Sequence, residues 1–519
     1  MLTVMLSRRS FSKSLIAATP LLAHAQSGMK PARIKIDTER VIGDIDPKLY
    51  GNFVEHLGRC VEGGVFQEGS KLSDPSGYRK DVFEGAKNLN IGLLRWPGGN
   101  FSSNYHWKDG IGPRDKRPPR LEMAWGTVES NRFGTHEFLD YAEKLGTEPY
   151  ICANLGTGSW EEAQQWVEYC NSAEDTAMTR LRKQNGRQQP WKVTYWGLGN
   201  EMDGPWQMGH RSAEDYGKFA LEAAKLMKWT DPNVKLIAAG SSNYGAGSDW
   251  TGWNRTVLDY LRRHADYLSL HLYVGNAANN YPEFLASSLE LSDRIKTAEG
   301  TIRNVLSGEP ADRKIYIAWD EWNVWYRARG SKERGRRILE ERYNLEDALV
   351  VATFLNAFVN NAHIVKIANM AQLVNVIAPM FTNDEGMFLQ TIYYPLQMFA
   401  NNSKGKALDL FVDSPTYTSK RFGDVRYIDT SAAYDNGTLV LNVVNRHQTE
   451  PITVEIEAED RQFSGPVSIS EVNGPDIKAE NDFHVTKVKA TPRSEQASGK
   501  KLNVTFAPHS YTMLRVKLG

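Results

Sequence analysis

Two apolar runs in this chain stop on a carboxylate. Tyr195-Trp-Gly-Leu-Gly-Asn200-Glu201 and Ile315-Tyr-Ile-Ala-Trp-Asp320-Glu321-Trp322 each read as a buried strand that ends in a glutamate. Ionisable groups at the ends of buried strands carry a desolvation cost that fold stability does not explain, so they are candidates for chemistry. Two carboxylates facing one another across a cleft are what cleavage of a glycosidic bond requires. One protonates the leaving oxygen and the other meets the oxocarbenium-like carbon. Other strand ends add Glu55-His56, Arg95 with Asn100, Asn154, Ser241, His271 with Tyr273, and Gln372 with Asn375. Taken singly each has a plainer role, since an Asn after a strand often caps the next helix and an Arg pairs with a neighbouring acid. Neither a metal nor a cofactor is expected. His56, His271 and His363 have no HExxH or paired spacing, and Gly98-Gly99 after Arg95-Trp-Pro97 lacks either phosphate-loop pattern.

The elements that must position these groups recur as one unit between about residues 46 and 372: a short apolar run, a polar or glycine-rich end, then a helical stretch. The runs fall at 50–54, 92–96, 149–153, 193–198, 234–239, 267–272, 315–319 and 364–368. Between them, residues 135–145 place Phe138, Leu139, Tyr141, Ala142 and Leu145 on neighbouring turns behind a Thr cap. Ser212-Ala-Glu-Asp215 opens another helix with a capping-box pattern. Alternating strand and helix implies parallel strands with right-handed crossovers, and eight units suggest a closed (β/α)8 barrel with its site at the carboxyl ends of the strands.

After Pro395 the pattern changes. Ile452-Thr-Val-Glu-Ile-Glu and Leu502-Asn-Val-Thr-Phe alternate strictly, and 439–444 is β-rich beside the Asp435-Asn-Gly turn signal. These strands predict a C-terminal antiparallel β-sandwich, and Arg33-Ile-Lys-Ile-Asp37 alternates in the same way, so it is expected to join that sandwich. The division read from the sequence is a signal at 1–27, an N-terminal strand segment at 28–45, the barrel at 46–400 and the sandwich at 401–519, with 401–405 as a linker-like boundary.

Composition limits the partners. With 62 Lys+Arg against 62 Asp+Glu, the chain lacks the basic excess of a nucleic-acid binder. Its 14 Trp and 22 Tyr exceed what a core needs, and sugar faces are one common use of such surface. Cys60, Cys152 and Cys170 are too few and too scattered for a disulfide framework or a Cys-rich zinc site. Residues 1–27 read as an export signal of the twin-arginine type: Arg8-Arg9 ahead of Phe11 and Lys13, an apolar run over 15–22, and Ala23-His24-Ala25 as the cleavage site. That reading places the mature protein in the periplasm or outside the cell. No other segment is apolar enough for a membrane helix.

The motifs together resemble one family. Gly51-Asn-Phe-Val-Glu55-His-Leu-Gly-Arg-Cys60, Arg95-Trp-Pro-Gly-Gly-Asn100-Phe101, Asn200-Glu201, Asp320-Glu-Trp-Asn-Val-Trp325-Tyr326 and Ala371-Gln372-Leu-Val-Asn375 look like the α-L-arabinofuranosidases of glycoside hydrolase family 51. The resemblance implies a (β/α)8 barrel with a β-sandwich, and a retaining, exo-acting enzyme that releases terminal α-L-arabinofuranosyl residues from hemicellulose or pectin oligosaccharides. It implies Glu201 as acid/base, Glu321 as nucleophile and Asn200 on the sugar 2-hydroxyl. Glu55, Arg95, Asn100, Tyr273 and Gln372 would shape the sugar pocket, with Trp125 and Trp325 at its mouth, and a homo-oligomer, often a hexamer, is implied as well. The alternatives are an endo-acting β-glucanase or xylanase on the same barrel, which needs an open groove, and a non-catalytic carbohydrate-binding protein.

Overall fold

The computed structural model describes residues 30–519 apart from 331–334 and 336, so the segment read as an export signal falls outside the described residues. Eight strands close a barrel in which sequence neighbours pair: β1 (Gly51–Phe53), β2 (Leu93–Trp96), β3 (Glu148–Ala153), β4 (Tyr195–Leu198), β5 (Lys235–Ala238), β6 (Tyr267–Val274), β7 (Tyr316–Val324) and β8 (Val365–Ala371). Every adjacent pair is parallel. Each strand coincides with one of the apolar runs to within a few residues.

The two-residue period of a strand sorts side chains inside and outside. On β6, Leu268, Leu270 and Leu272 belong to the large core under the helices, whereas Tyr267 packs in a separate cluster with Leu93, Tyr150, Ile237, Ala318 and Ile367. That cluster fills the barrel axis, and Ser269, His271 and Tyr273 continue the same inward row toward the open end. Strand β7 departs from the period. Ala318 pairs with Ser269 but Glu321 with His271, and Trp319 pairs with Ala368 but Trp322 with Met370. Against both neighbours β7 carries one extra residue, a β-bulge that aims Asp320 and Glu321 into the barrel together. The strand also runs to Val324, beyond the end at 319 read from the sequence.

The helix Thr135–Leu145 forms as its periodicity predicts, but its N-cap is Gly134. Thr135 instead accepts a hydrogen bond from the Trp166 indole at 3.1 Å. Ser212 caps Ala213–Thr230 by accepting from Asp215 N.

The C-terminal unit is a sandwich of two sheets. Residues Ala32–Ile36 enter the four-stranded sheet, parallel to Ile452–Ala458 and antiparallel to Phe411–Asp413. A second N-terminal strand, Val41–Ile45, edges the seven-stranded sheet beside Gly405–Leu408. Residues 401–405 do not form a solvated linker: Asn402 closes a helix, and the buried Ser403 accepts from Tyr50 OH at 2.7 Å. Among the described residues no helix is long and apolar enough to cross a membrane.

Candidate active site

The carboxyl ends of β1, β2, β4, β6, β7 and β8 deliver one connected polar cluster. Arg95, the inward residue before Trp96 on β2, is 1% exposed and donates from Nη1 to Glu321 Oε2 at 2.8 Å and to the Asp320 carbonyl at 3.1 Å. Its Nη2 donates to Asn200 Oδ1. Tyr273 OH donates to Glu321 Oε1 at 2.7 Å, so both oxygens of Glu321 are held. Glu201 is fixed from β6, with His271 Nδ1 3.0 Å from its Oε1. Gly199 and Glu201 have φ of 83° and 46°, left-handed turns that swing the end of β4 so that Asn200 and Glu201 both reach the mouth.

Glu55 forms the opposite wall. Its Oε1 accepts from Phe101 N at 3.1 Å and Trp125 Nε1 at 3.3 Å, and its Oε2 from Gln372 Nε2 at 3.0 Å. Trp325 packs edge-on against Tyr273 with ring centroids 5.2 Å apart. Asn200 Nδ2, Gln372 Oε1 and Trp325 Nε1 have no hydrogen-bond partner among the described residues. Unpaired polar atoms around a buried pocket suit a ligand rich in hydroxyls.

Some strand-end residues serve structure. Asn154 accepts from the backbone N–H groups of Gly156, Thr157 and Gly158, Ser241 bonds to Asn254 and the Trp250 carbonyl, and Asn375 ties Thr382 to the Arg59 loop. Asn100, read as a pocket residue, is half-buried at the start of a short 3-10 turn and makes no hydrogen bond to the cluster among the described residues. The preceding glycine is closer: a Cβ on Gly99 would sit 3.4 Å from Asn200 Nδ2 and Glu321 Oε2. That Gly-Gly pair, weighed from sequence only as a phosphate loop, forms pocket wall. Tyr150 and Ser269 are further additions, gathered on Asp320, the strand-end neighbour of Glu321. Asp320 Oδ2 accepts from Tyr150 OH at 2.7 Å and Oδ1 from Ser269 Oγ at 2.5 Å, while Oδ1 lies 3.5 Å from His271 Nε2.

Electrostatics follow from this geometry. Burial disfavours charge on Asp320, but Arg95, His271 and Ser269 outweigh it and hold its pKa at about 2. Burial likewise opposes a charged His271, yet Glu321, Asp320 and Glu201 around it push its pKa up to about 10. Glu201 is raised, by burial first and by the charge of Glu321, against the pull of His271. Burial and Glu321 raise Glu55 to about 8. Ligand atoms of Glu201, His271 and Glu321 lie within 4.8 Å of one another. With His271 protonated, that trio is a donor between two acceptors, an arrangement unlike a metal site.

Comparison with known proteins agrees with the fold. Residues 86–284 match the family model "Alpha-L-arabinofuranosidase 1 domain" and 320–510 the "Alpha-L-arabinofuranosidase C-terminal domain". An intracellular exo-α-(1→5)-L-arabinofuranosidase of Bacillus subtilis is 40% identical, over 94% of this chain and 99% of its own. The α-L-arabinofuranosidase of Thermotoga maritima in an arabinose complex is 36% identical with a TM-score of 0.86, covering 94% of this chain and all of its own. The family 51 α-L-arabinofuranosidase AbfB of Bifidobacterium longum is 32% identical with a TM-score of 0.87 over the same shares. The exported placement read from the N-terminus is corrected by these relatives, because the Bacillus enzyme and three further bacterial ones are named intracellular. An arginine pair before a short apolar run is a weak address on its own. With matched domains spanning most of its length and relatives aligned nearly end to end, the chain belongs to the α-L-arabinofuranosidases of glycoside hydrolase family 51.

Proposed function

We infer that the protein is a retaining, exo-acting α-L-arabinofuranosidase that releases terminal arabinofuranosyl residues from hemicellulose or pectin oligosaccharides by double displacement. The observation that carries this reading is the carboxylate pair. One oxygen of Glu201 and one of Glu321 lie within 4.8 Å of each other, a close approach that fits the roughly 5 to 5.5 Å between carboxyl groups of retaining glycosidases better than the roughly 6.5 to 9.5 Å with which inverting enzymes admit a water.

In this mechanism Glu321 is the nucleophile. Arg95 and Tyr273 donate to its two oxygens, which fixes the side chain and aims it at carbon-1. Glu201 is the acid/base: burial and the Glu321 charge raise its pKa, so it holds the proton that the leaving oxygen takes. Once the glycosyl ester forms, the Glu321 charge is gone, the pKa of Glu201 falls, and it accepts a proton from the attacking water. Arg95 fixes the Asn200 carbonyl oxygen, which leaves Nδ2 free for the sugar 2-hydroxyl. Glu55 and Gln372 close the sugar pocket, with Trp125 and Trp325 toward the leaving group.

The relatives' names support an α-(1→5) linkage and an intracellular site of action. A homo-oligomer, a hexamer by the family resemblance, belongs to the same proposal and is read by sedimentation. The test of function is a panel of aryl glycosides. Turnover of the α-L-arabinofuranoside with little on the β-xylopyranoside or on polymeric glucan supports the reading, and the reverse preference overturns it in favour of an endo-glycanase.

A further inference from the structure

The turn after Glu201 carries a tryptophan to which nothing above gives a task. Trp206 is 49% exposed, yet its indole Nε1 donates to Glu201 Oε2 at 2.5 Å. The other oxygen, Oε1, faces His271. The carboxyl is therefore gripped from two sides, by a buried imidazole within the barrel and by an indole toward solvent.

The turn that presents this indole is built to stay put. Gly204 N donates back to the Glu201 carbonyl at 2.8 Å, and a Cβ on Gly204 would come within 2.4 Å of the Trp206 ring. Asp203 accepts from Ser242 N and Asn243 N, each at 2.8 Å, and from Ser242 Oγ at 2.5 Å, which anchors the turn to the loop after β5. Gln207, 4% exposed, donates to Ser103 Oγ on the far side.

An N–H donor bonds a carboxylate more strongly than a neutral carboxyl. Glu201 becomes a carboxylate as the leaving group departs, so this bond strengthens on the way to the transition state. We propose that Trp206 is a positioning residue for proton transfer, holding the Glu201 carboxyl toward the leaving group and favouring the ionised form that proton donation creates. The proposal rests on Glu201 being the acid/base. The charged and titratable groups around that carboxyl are His271 from β6, Glu321 from β7 with Arg95 and Tyr273 against it, Asp320 behind His271, and Asp203 in the turn itself.

The test compares Trp206→Phe, which keeps a flat ring and loses the donor, with the parent enzyme. For kcat/KM on α-1,5-arabinobiose a loss of about tenfold is expected, the scale of one charge-assisted hydrogen bond. On the 2,4-dinitrophenyl arabinofuranoside, whose leaving group needs little protonation, the loss should stay below about twofold. Removing the donor raises the pKa of Glu201, so the basic limb of the kcat/KM profile moves to higher pH, and Trp206→Leu moves it the same way. An unmoved limb with equal losses on both substrates overturns the proposal. Glu201→Ala separates the two levels: if it shows no azide rescue the acid/base assignment itself fails, and if it is rescued while Trp206→Phe is silent only the Trp206 proposal falls.

Discussion

Asp320 and Glu321 are consecutive in β7, and both carboxylates lie against Arg95, 3.8 Å from Nε and 2.8 Å from Nη1. Neighbouring strand residues ordinarily face opposite ways; the bulge makes two anions share one guanidinium. The outcome is a balanced buried cluster. Arg95 and His271 carry the positive charges, Asp320 and Glu321 the negative ones, and the total is zero when Glu201 and Glu55 are protonated. Asp320 is thus the deep counter-charge that lets Arg95 and a protonated His271 stand next to Glu321.

Asp320→Asn leaves two buried cations facing one anion and should destabilise the fold by about 3 to 5 kcal/mol. The pH dependence carries a sign. Asp320 titrates at about 2 in the folded protein, below its usual 3.8, so its contribution is complete above about pH 4 and disappears as pH falls through 2. His271, raised from 6.5 to about 10, contributes fully below pH 6.5 and loses that contribution as pH rises through 10. Urea midpoints measured across pH should show the variant with a shallower acid-side slope and losing stability at lower alkaline pH than the parent. Superimposable curves would refute the counter-charge role.

The barrel is legible in the chain because each run ends where its outward row ends. Trp196 and Leu198 point to the helices, and the polar residues just after them must face the mouth. For the same reason Glu55, Arg95, Asn200, Glu201, Tyr273, Glu321 and Gln372 meet in space. Asp320 is harder to place, because a bulge has no local residue signature and only the two partner strands reveal it. Ser269 and Tyr150 lie inside strands, where a polar side chain reads as barrel filling until Asp320 is found opposite. Ser241 and Asn154 end strands too, but their loops use them up. The second N-terminal strand, 41–45, is missed because its burial does not alternate.

The two glutamates should separate by leaving group. Glu201→Ala is expected to lose about 10²- to 10⁴-fold in kcat/KM on arabinobiose and far less on the dinitrophenyl arabinofuranoside, with azide restoring turnover in place of the activated water. Glu321→Ala should fail on both, since a good leaving group cannot replace a nucleophile. Parallel losses in the two variants across every leaving group would contradict the assignment.

Glu55 should govern binding rather than chemistry. Its pKa of about 8 makes it largely protonated at neutral pH, and ionisation turns it into a better acceptor for sugar hydroxyls. KM for the aryl arabinofuranoside should therefore fall as pH rises through 8, while kcat follows Glu201. Glu55→Gln cannot ionise, so its KM should be flat over that range. A KM that still drops near pH 8 in the variant would assign the titration to another group.

Stereochemistry gives the most direct reading of the carboxylate gap. With one oxygen of Glu201 and one of Glu321 within 4.8 Å, the pair is too close for the inverting arrangement with a water between Glu321 and the anomeric carbon, so Glu321 itself is expected to attack. The first displacement inverts carbon-1 and the second inverts it back, which returns the α configuration. Free arabinofuranose mutarotates quickly, so the informative product is the one made when methanol competes with water for the glycosyl ester. Early proton NMR spectra should show methyl α-L-arabinofuranoside. Appearance of the β-methyl product first would mean direct displacement, a functional gap of roughly 6.5 to 9.5 Å, and a role for Glu321 as base to a water rather than as nucleophile.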